Sequence, residues 1–198
     1  MKELEITCQI YNNVLDIRKQ LESNNFKFKK EFIIDDMYMH NTKTGEFSII
    51  NGKIIDSLVI RYVNENDKKI ICKKNISNNI EKSILKVDSI KDAETHLNML
   101  GYRKFLRLTY HNYMYENKQY IAYIQEVKNL GNFLEVEVKD GENQSIKNLI
   151  EYVKMLNLET GEEFNVRKAE VLYNELNKNS LKWINIRYIY LLCYHNML

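Results

Sequence analysis

Two strand-like stretches of the sequence carry glutamates two residues apart. Glu3 and Glu5 lie near the start of the chain, and Glu135 and Glu137 alternate with apolar residues further on. In a β-strand, side chains two residues apart share one face and stand about 7 Å from each other. An ordinary half-buried strand turns such pairs to water, whereas a closed sheet brings all four carboxylates to one interior. Converging carboxylates repel one another unless cations neutralise them, so the second alternative predicts a hard divalent cation, Mg²⁺ or Mn²⁺.

Basic side chains occupy the same-face positions of other strand-like stretches. The candidates are Arg61, Lys73 and Arg107. Arginine and lysine bind phosphate oxygens through charge-assisted hydrogen bonds. A barrel lined by carboxylates for a metal ion and by these cations for phosphate would hold a highly charged anion between them.

The elements that would position these residues are mostly strands. Strand-like composition or alternation covers 3–10, 29–38, 47–51, 57–63, 69–73, 105–115, 120–127 and 133–138. Helical spacing or composition covers 14–23, 91–100, 145–156 and 166–176. The second of these helices follows Ser89, a helix-capping residue, and ends before Gly101. About eight strands and four helices without a domain-sized linker predict one α+β domain.

The segment 179–198 forms a tail of different composition. It is apolar and aromatic, but Lys182, Arg187 and His195 interrupt it, so it lacks the run of about 20 apolar residues that a membrane span needs. We expect a terminal helix packed on the body or on a partner, with an interfacial membrane anchor as the alternative.

The overall composition is that of an ordinary globular domain. The chain has 198 residues, 44% hydrophobic and 28% charged, with a formal net charge of +2. This charge is too small to indicate a nucleic-acid or membrane partner, so neither is expected. Cys8, Cys72 and Cys193 have no metal-type spacing, and nothing like a secretory signal precedes Lys2. A reduced, cytoplasmic setting is the resulting expectation.

Several short motifs, taken in order, resemble those of the CYTH superfamily, the triphosphate tunnel metalloenzymes. Glu3-Leu4-Glu5 is similar to the ExExK opening of these proteins, and Asp36-Met37-Tyr38-Met39 is similar to their DxYF element. Leu58-Val59-Ile60-Arg61 and Ile70-Ile71-Cys72-Lys73 resemble their LRIR and LTxK strands. The stretch from Glu126 to Glu137 resembles the DEVxGLGxFLEIE segment of the class IV adenylate cyclase and thiamine triphosphatase branch.

The resemblance implies a fold and a set of site residues. The fold would be α+β, a closed antiparallel eight-stranded β-barrel, or triphosphate tunnel, with flanking helices in a domain spanning 1–178. The residues holding one or two Mg²⁺ or Mn²⁺ ions would be Glu3, Glu5, Glu135 and Glu137. The catalytic cations that grip the phosphates would be Arg61, Lys73 and Arg107. The substrate-binding set would also include Tyr38, Arg103 and Lys104.

Three positions depart from the pattern of the superfamily. Thr7 replaces the lysine of ExExK, and Gln125 replaces the aspartate expected before Glu126. If Arg107 corresponds to the phosphate-binding lysine, Thr109 replaces the arginine two residues later, although Arg103 and Lys104 are an alternative basic pair. Each lost charge-assisted contact costs about 1.5–3 kcal/mol, enough to weaken catalysis while binding is retained.

The functional prediction is a metal-dependent enzyme that acts on a small-molecule triphosphate: ATP, thiamine triphosphate or tripolyphosphate. Hydrolysis is slightly favoured over cyclisation of ATP, because cyclisation needs a placed base and a base-recognition pocket that the sequence does not reveal. A catalytically weakened phosphate-binding module is a further alternative, as is a barrel with a purely structural role. A homodimer is left open.

Overall fold

The computed structural model describes residues 4–76, 79–139 and 145–178. Ten strands lie in this part of the chain: β1 Glu5–Ile10, β2 Lys27–Asn41, β3 Ile49–Ile50, β4 Lys53–Ile54, β5 Ser57–Asn64, β6 Asp67–Ile76, β7 Asn79–Lys86, β8 Tyr102–Glu116, β9 Tyr120–Val127 and β10 Gly131–Val138. The helices are α1 Val14–Ser23, α2 Ile90–Met99, α3 Ile146–Met155 and α4, which covers 168–178. Glu3 and the predicted tail 179–198 lie outside the described residues.

Eight of the strands form one antiparallel sheet in the order β1-β10-β9-β8-β2-β5-β6-β7. The longest ladder joins β2 to β8, each strand 15 residues long, and lies near the middle of the sheet. The sheet has two faces because successive side chains of a strand point in opposite directions. The predicted α+β class and the antiparallel sheet of eight strands are confirmed.

The predicted closure of the barrel by hydrogen bonds is not confirmed. Within the described residues, no ladder joins β7 to β1, the two edges of the sheet. The free edge of β1 pairs instead with the segment 159–166: the backbone oxygens of Thr7 and Gln9 accept hydrogen bonds from Val166 and Gly161. A strand edge has one row of donors and acceptors, so this segment takes the place that β7 would need.

The outer face of the sheet carries most of the apolar core. Ile6, Cys8, Leu134 and Val136 are buried there beneath α1 and α3. Apart from Phe133, their inward-facing neighbours on β1 and β10 are polar or charged, which produces the alternation seen in the sequence. The two helices contribute fully buried side chains at helical spacing: Ile17, Leu21, Leu149 and Val153.

Two further helices cover other parts of the sheet. Helix α2 begins after Ser89, whose side chain accepts a hydrogen bond from the Asp92 backbone, and buries Ala93 against β5 and β2. Helix α4 buries Ala169 and Leu172 against inward-facing residues of β8, β9 and β10. Helix α4 therefore closes off part of the inner face with apolar side chains. None of the helices in the described ranges is long and apolar enough to cross a membrane.

The four predicted helices and seven of the eight predicted strands are confirmed as elements of these types; 14–23 and 120–127 keep their predicted boundaries, and the other boundaries are shifted. The eighth predicted strand, 47–51, contributes only Ile49–Ile50, which pairs with β4 in a separate two-stranded sheet. The remaining strand of the large sheet is β7, which the sequence reading missed. Its residues 81–86 are exposed on both faces, so no apolar alternation marks the strand.

We expect Leu134→Ala to lower the free energy of unfolding by about 2–5 kcal/mol, because Leu134 is fully buried between the sheet and its covering helices. Ile33→Ala on β2 is the matched control, since Ile33 is 54% exposed and its truncation should cost less than about 0.5 kcal/mol. Urea denaturation of both variants measures the difference. Similar losses for the two would contradict the core assignment.

Candidate functional site

A cavity of about 630 Å³ lies on the inner face of the sheet. Side chains from all eight strands of the large sheet line it, so the sheet curves around this space. Its acidic lining residues are Glu5, Asp36, Glu135 and Glu137, and its basic lining residues are Arg61, Lys73, Lys82, Arg167 and Lys168. A cavity with this content suits a ligand that carries several negative charges and is accompanied by a cation.

The carboxylates of β1 and β10 form the acidic part of the lining. Glu5 and Glu137 are direct cross-strand partners, and Glu135 lies two residues before Glu137 on the same face of β10. The turn into β10 sets this register through Gly131, whose φ of +90° favours glycine. A slip of one residue would turn both glutamates of β10 to the opposite face.

Tyr123 of β9 lies beside this acidic group as the cross-strand partner of Glu135. Burial raises the pKa of Tyr123 to about 12, and the charges of Glu137, Glu135 and Glu5 contribute to the rise. All three carboxylates and Tyr123 line the same cavity on neighbouring strands, which places them in one region of it. This is the convergence that the spacing of the glutamates predicted, although Glu3 lies outside the described residues.

Arg61 is fixed by a buried ion pair with Asp36. Its Nε and one terminal nitrogen donate to the two oxygens of Asp36, each at 2.6 Å, and the same terminal nitrogen donates to the Tyr110 hydroxyl at 3.1 Å. Asp36 is 1% exposed. Burial alone would lower the pKa of Arg61, but the hydrogen bonds and charge of Asp36 raise it above its ordinary value. The guanidinium is thus a permanent, oriented cation in the cavity wall.

Two lysines extend the basic lining towards the other edge of the sheet. Lys73 of β6 and Lys82 of β7 are cross-strand partners, and Ser57 of β5 is the partner of Lys73 on the other side. Tyr38 lines the cavity near Arg61, and burial, followed by the charge of Asp36, raises its pKa above the ordinary value. Its hydroxyl therefore stays protonated and able to donate a hydrogen bond.

Lys168, the first residue of α4, reaches into the cavity and binds the acidic group. Its ammonium lies 2.5 Å from Gln125 Oε1 and 3.2 Å from Glu135 Oε2, and it stands 5.3 Å from the centre of the Tyr110 ring. Its side chain is 13% exposed. The Thr7 hydroxyl and the Gln125 amide also donate to Glu135 Oε2, at 3.4 and 3.3 Å. Glu135 thus has an internal counter-ion.

The chemistry of the acidic group suits a hard divalent cation, because Glu5, Glu135 and Glu137 supply only carboxylate oxygens. Glu5 and Glu137 stand opposite each other on β1 and β10, and Glu135 binds Lys168. Among residues 4–76, 79–139 and 145–178, no three histidine, cysteine, aspartate or glutamate side chains are already gathered around one metal position. A metal ion on Glu135 would compete with the Lys168 ammonium for the same oxygen.

The structure brings Glu5, Tyr38, Arg61, Lys73, Glu135 and Glu137 to one cavity. It does not bring Arg103, Lys104 and Arg107 there. On β8 the inward positions are Leu108, Tyr110 and Asn112, so Arg107 points outward and pairs with Asp35. Arg103 donates to the backbone oxygens of Asn98 and Tyr102, and Lys104 is exposed at the start of β8. Their predicted contact with substrate finds no support in this placement.

Three basic residues of the cavity were missed in the sequence. Lys82 belongs to β7, the strand without an apolar pattern. Arg167 and Lys168 lie at the junction of the segment 159–166 with α4, far along the chain from the other site residues. Only the pairing of that segment with β1 carries them to the cavity. In the sequence, the only indication of Arg167 and Lys168 was that two basic residues stand near the start of a predicted helix. Basic residues at such positions are commonly exposed to solvent.

No family model matches the sequence, and no curated protein matches it either. Solved structures do match the fold. The PH1012 protein of Pyrococcus horikoshii is similar with a TM-score of 0.66 and 19% identity, over 86% of this chain and 99% of that one. A candidate adenylate cyclase of Vibrio parahaemolyticus gives a TM-score of 0.65 and 12% identity, over 87% and 97%.

A third similar structure is HpAC1 of Hippeastrum, a candidate adenylyl cyclase described as having a dominant triphosphatase activity. It gives a TM-score of 0.58 and 13% identity, over 88% of this chain and 96% of that one. At these identities the likeness establishes the fold. The predicted resemblance is therefore confirmed at the level of the fold, which this chain shares with the candidate adenylate cyclase of Vibrio parahaemolyticus and with HpAC1.

The two aspartate–arginine pairs of β2 allow a matched test of the site geometry. We expect Asp36→Asn to lower the free energy of unfolding by about 3 kcal/mol, because it leaves a largely buried guanidinium without its counter-charge. Asp35→Asn removes the partner of the exposed Arg107 and should cost less than about 1 kcal/mol. Urea denaturation measures both, and equal losses would show that Asp36 does not support a buried cation.

Tyr123 gives a pH-dependent prediction. Its folded-state pKa of about 12 exceeds the ordinary value of about 10, so folding favours the protonated phenol. Its contribution to stability is full below pH ~10 and is lost as the pH rises towards 12. The difference in alkaline absorbance titration between the wild type and Tyr123→Phe should show one phenol with a pKa near 12. A pKa near 10 would contradict the burial of Tyr123 beside the carboxylates.

Proposed function

We propose that the chain is a divalent-metal-dependent hydrolase of a triphosphate. The observation that carries the proposal is the meeting of three carboxylates with Arg61, Lys73, Lys82 and Lys168 in one cavity of the sheet. The fold supports it, because similar structures include candidate adenylate cyclases and HpAC1 with its dominant triphosphatase activity. Thiamine triphosphate, tripolyphosphate and nucleoside triphosphates are the candidate substrates.

The cations of the cavity would bind and orient the phosphate chain. Arg61 presents its guanidinium in a fixed direction because both oxygens of Asp36 accept hydrogen bonds from one edge of it. Lys73 and Lys82 extend the positive surface along a neighbouring pair of strands. Phosphoryl transfer depends mainly on positioning and on neutralising charge, so a fixed arrangement of this kind is the main requirement.

A divalent cation bound by Glu5 and Glu137 would neutralise charge on the phosphate oxygens. Glu135 would become a third ligand once Lys168 releases it. In the reaction a water oxygen forms a bond to the terminal phosphorus while the bond from that phosphorus to the bridging oxygen breaks. The products are inorganic phosphate and the shortened phosphate chain, and the proton of the water passes to solvent or to a phosphate oxygen. No covalent enzyme intermediate is needed.

Both edges of the sheet contribute side chains to the site, as in a tunnel. Glu5 and Glu137 lie at the β1 edge of the sheet, and Lys73 and Lys82 lie at the β7 edge, yet all four line one cavity. A triphosphate with its metal ion would contact both edges at once.

Hydrolysis is favoured over cyclisation of ATP because residue 125 is a glutamine and cannot act as a base. Cyclisation needs a base that deprotonates a ribose hydroxyl. Gln125 is an amide held by Lys168, Asn112 and Glu135, so it cannot accept that proton. Formation of cyclic AMP stays the second candidate because the fold is shared with candidate adenylate cyclases.

A binding module without turnover is the third candidate. Lys168 occupies an oxygen of Glu135 that a metal ion would use, and Thr7 adds a hydrogen bond to the same oxygen. If Lys168 is not displaced, the site would bind a phosphate chain through its cations alone.

The deciding experiment measures turnover of ATP, thiamine triphosphate and tripolyphosphate with Mg²⁺ and with Mn²⁺, scoring phosphate, pyrophosphate and cyclic AMP. We expect phosphate release that requires the metal ion. The double variant Glu135→Gln/Glu137→Gln should lower the rate at least about a hundredfold, because two charged contacts are lost. Glu126→Gln is the matched control, since Glu126 is exposed on the outer side of β9.

Cyclic AMP with pyrophosphate in place of phosphate would establish the cyclase. Binding of a triphosphate without turnover would establish the binding module. A double variant as active as Glu126→Gln would sink the assignment of the cavity as the active site.

A further inference from the structure

Asn112 of β8 lies in the cavity wall at the end of a buried chain of hydrogen bonds. The Lys168 ammonium donates to Gln125 Oε1, and Gln125 Nε2 donates to Asn112 Oδ1 at 3.2 Å. Asn112 and Gln125 are 1% and 3% exposed. Both amides belong to the inner face, and both line the cavity.

The lysine determines the orientation of both amides. An ammonium group only donates, so Gln125 must turn its oxygen towards Lys168 and its nitrogen towards Asn112. Asn112 must then turn its oxygen towards Gln125, because the opposite orientation would set two donors against each other. The Asn112 amide nitrogen is left pointing away from the chain of hydrogen bonds.

That nitrogen, Asn112 Nδ2, is buried and has no hydrogen-bond partner within the described part of the chain. A buried donor without an acceptor is costly, and native structures rarely keep one without a reason. Because Asn112 lines the cavity, an acceptor atom of a bound ligand can satisfy it. The cost is then recovered only in the complex, which makes this atom selective for ligands that carry an acceptor there.

The surroundings of Asn112 favour an uncharged acceptor. Its cross-strand partners are Phe32 on β2 and Gln125 on β9, and Phe133 follows in the same row, so the side chains of the row carry no charge. On the β2 side, the Lys30 ammonium stands 5.1 Å from the centre of the Phe32 ring. The Gln125 nitrogen that binds Asn112 also lies 3.3 Å from Glu135. A phosphate oxygen at Asn112 would thus lie near a carboxylate whose own counter-ion, Lys168, is already engaged.

Arg61, the fixed cation proposed to bind the phosphate chain, lies far from the row of Phe32, Asn112 and Gln125. Arg61 is the partner of Asp36, four residues along β2 from Phe32, which corresponds to about 13 Å of strand. A phosphate chain held by Arg61 would therefore leave the space beside Phe32 and Asn112 to the group attached to that chain. A flat ring bearing a ring nitrogen or carbonyl oxygen fits both the aromatic neighbour and the unpaired donor.

We propose that Asn112 is a specificity-determining residue whose amide nitrogen donates to an uncharged acceptor on the organic group of the substrate. The site would then prefer an organic triphosphate with a heteroaromatic ring over inorganic tripolyphosphate. This inference rests on the proposed function, since it assumes that a triphosphate occupies the cavity.

The test compares Asn112→Leu, which has a similar size without polar atoms, with the wild type. Affinities for ATP, thiamine triphosphate and tripolyphosphate are measured by calorimetry, without and with Mg²⁺. We expect the preferred organic triphosphate to bind about tenfold more weakly to the variant and tripolyphosphate to bind equally well. The melting temperature of the free variant should be unchanged or higher, because the unpaired donor is removed and Gln125 keeps Glu135 as an acceptor.

Thr109→Val on the outer side of β8 is the control and should leave both affinities unchanged. If Asn112→Leu does not fold, Asn112→Ala provides the same comparison. Equal weakening for tripolyphosphate, or no weakening for any organic triphosphate, overturns the role of Asn112. A wild type that binds tripolyphosphate alone overturns it as well. A wild type that binds none of the three ligands overturns the proposed function itself.

Discussion

The ion pair between Asp36 and Arg61 is the constraint on which the inner face of the sheet depends. A buried arginine without a counter-charge would be strongly destabilising, and Asp36 supplies that charge through two hydrogen bonds. The pair bridges β2 and β5 in the middle of the sheet. With Arg61 held in this way, part of the inner face can stay polar, and a cavity forms beside the apolar residues that α4 covers.

Because part of the inner face is polar, most of the apolar core lies on the outer face of the sheet. Helices α1, α2 and α3 cover the outer face, where the alternate residues of the same strands are buried. Helix α4 closes off part of the inner face with Ala169 and Leu172. The same helix brings Lys168 to Glu135, so one element both seals the cavity and balances its acidic group. Stability and site chemistry are therefore coupled through α4.

Thr7 and Gln125, which depart from the superfamily pattern, acquire a common meaning in the structure. Both donate hydrogen bonds to Glu135, and Gln125 also accepts one from Lys168. An aspartate at position 125 would set a second carboxylate beside Glu135. The amide instead joins Lys168 to Asn112 and turns an unpaired donor towards the cavity. The substitutions thus form one hydrogen-bonded network that leads from the acidic group to the neutral wall.

The sequence by itself determined the class of fold and the faces of the strands. A period of two residues settles which side chains of one strand share a face, so Glu135 and Glu137 were assigned together correctly. The grouping of Glu5, Arg61 and Lys73 with them came from the ordered motifs that resemble the CYTH superfamily, and all three line the same cavity. The same rule shows where the reading of Arg107 failed. Its position depends on the register of β8, and a change of one residue reverses the face.

Only the tertiary structure decided which distant residues complete the cavity. Lys82 belongs to a strand exposed on both faces, and Lys168 reaches Glu135 because the segment 159–166 pairs with β1. Both placements depend on contacts between residues far apart in the chain, which leave no local periodic signal. The pairing at the edge of the sheet also depends on such distant contacts. The free edge of β1 can form hydrogen bonds with only one segment, and that segment is 159–166, not β7.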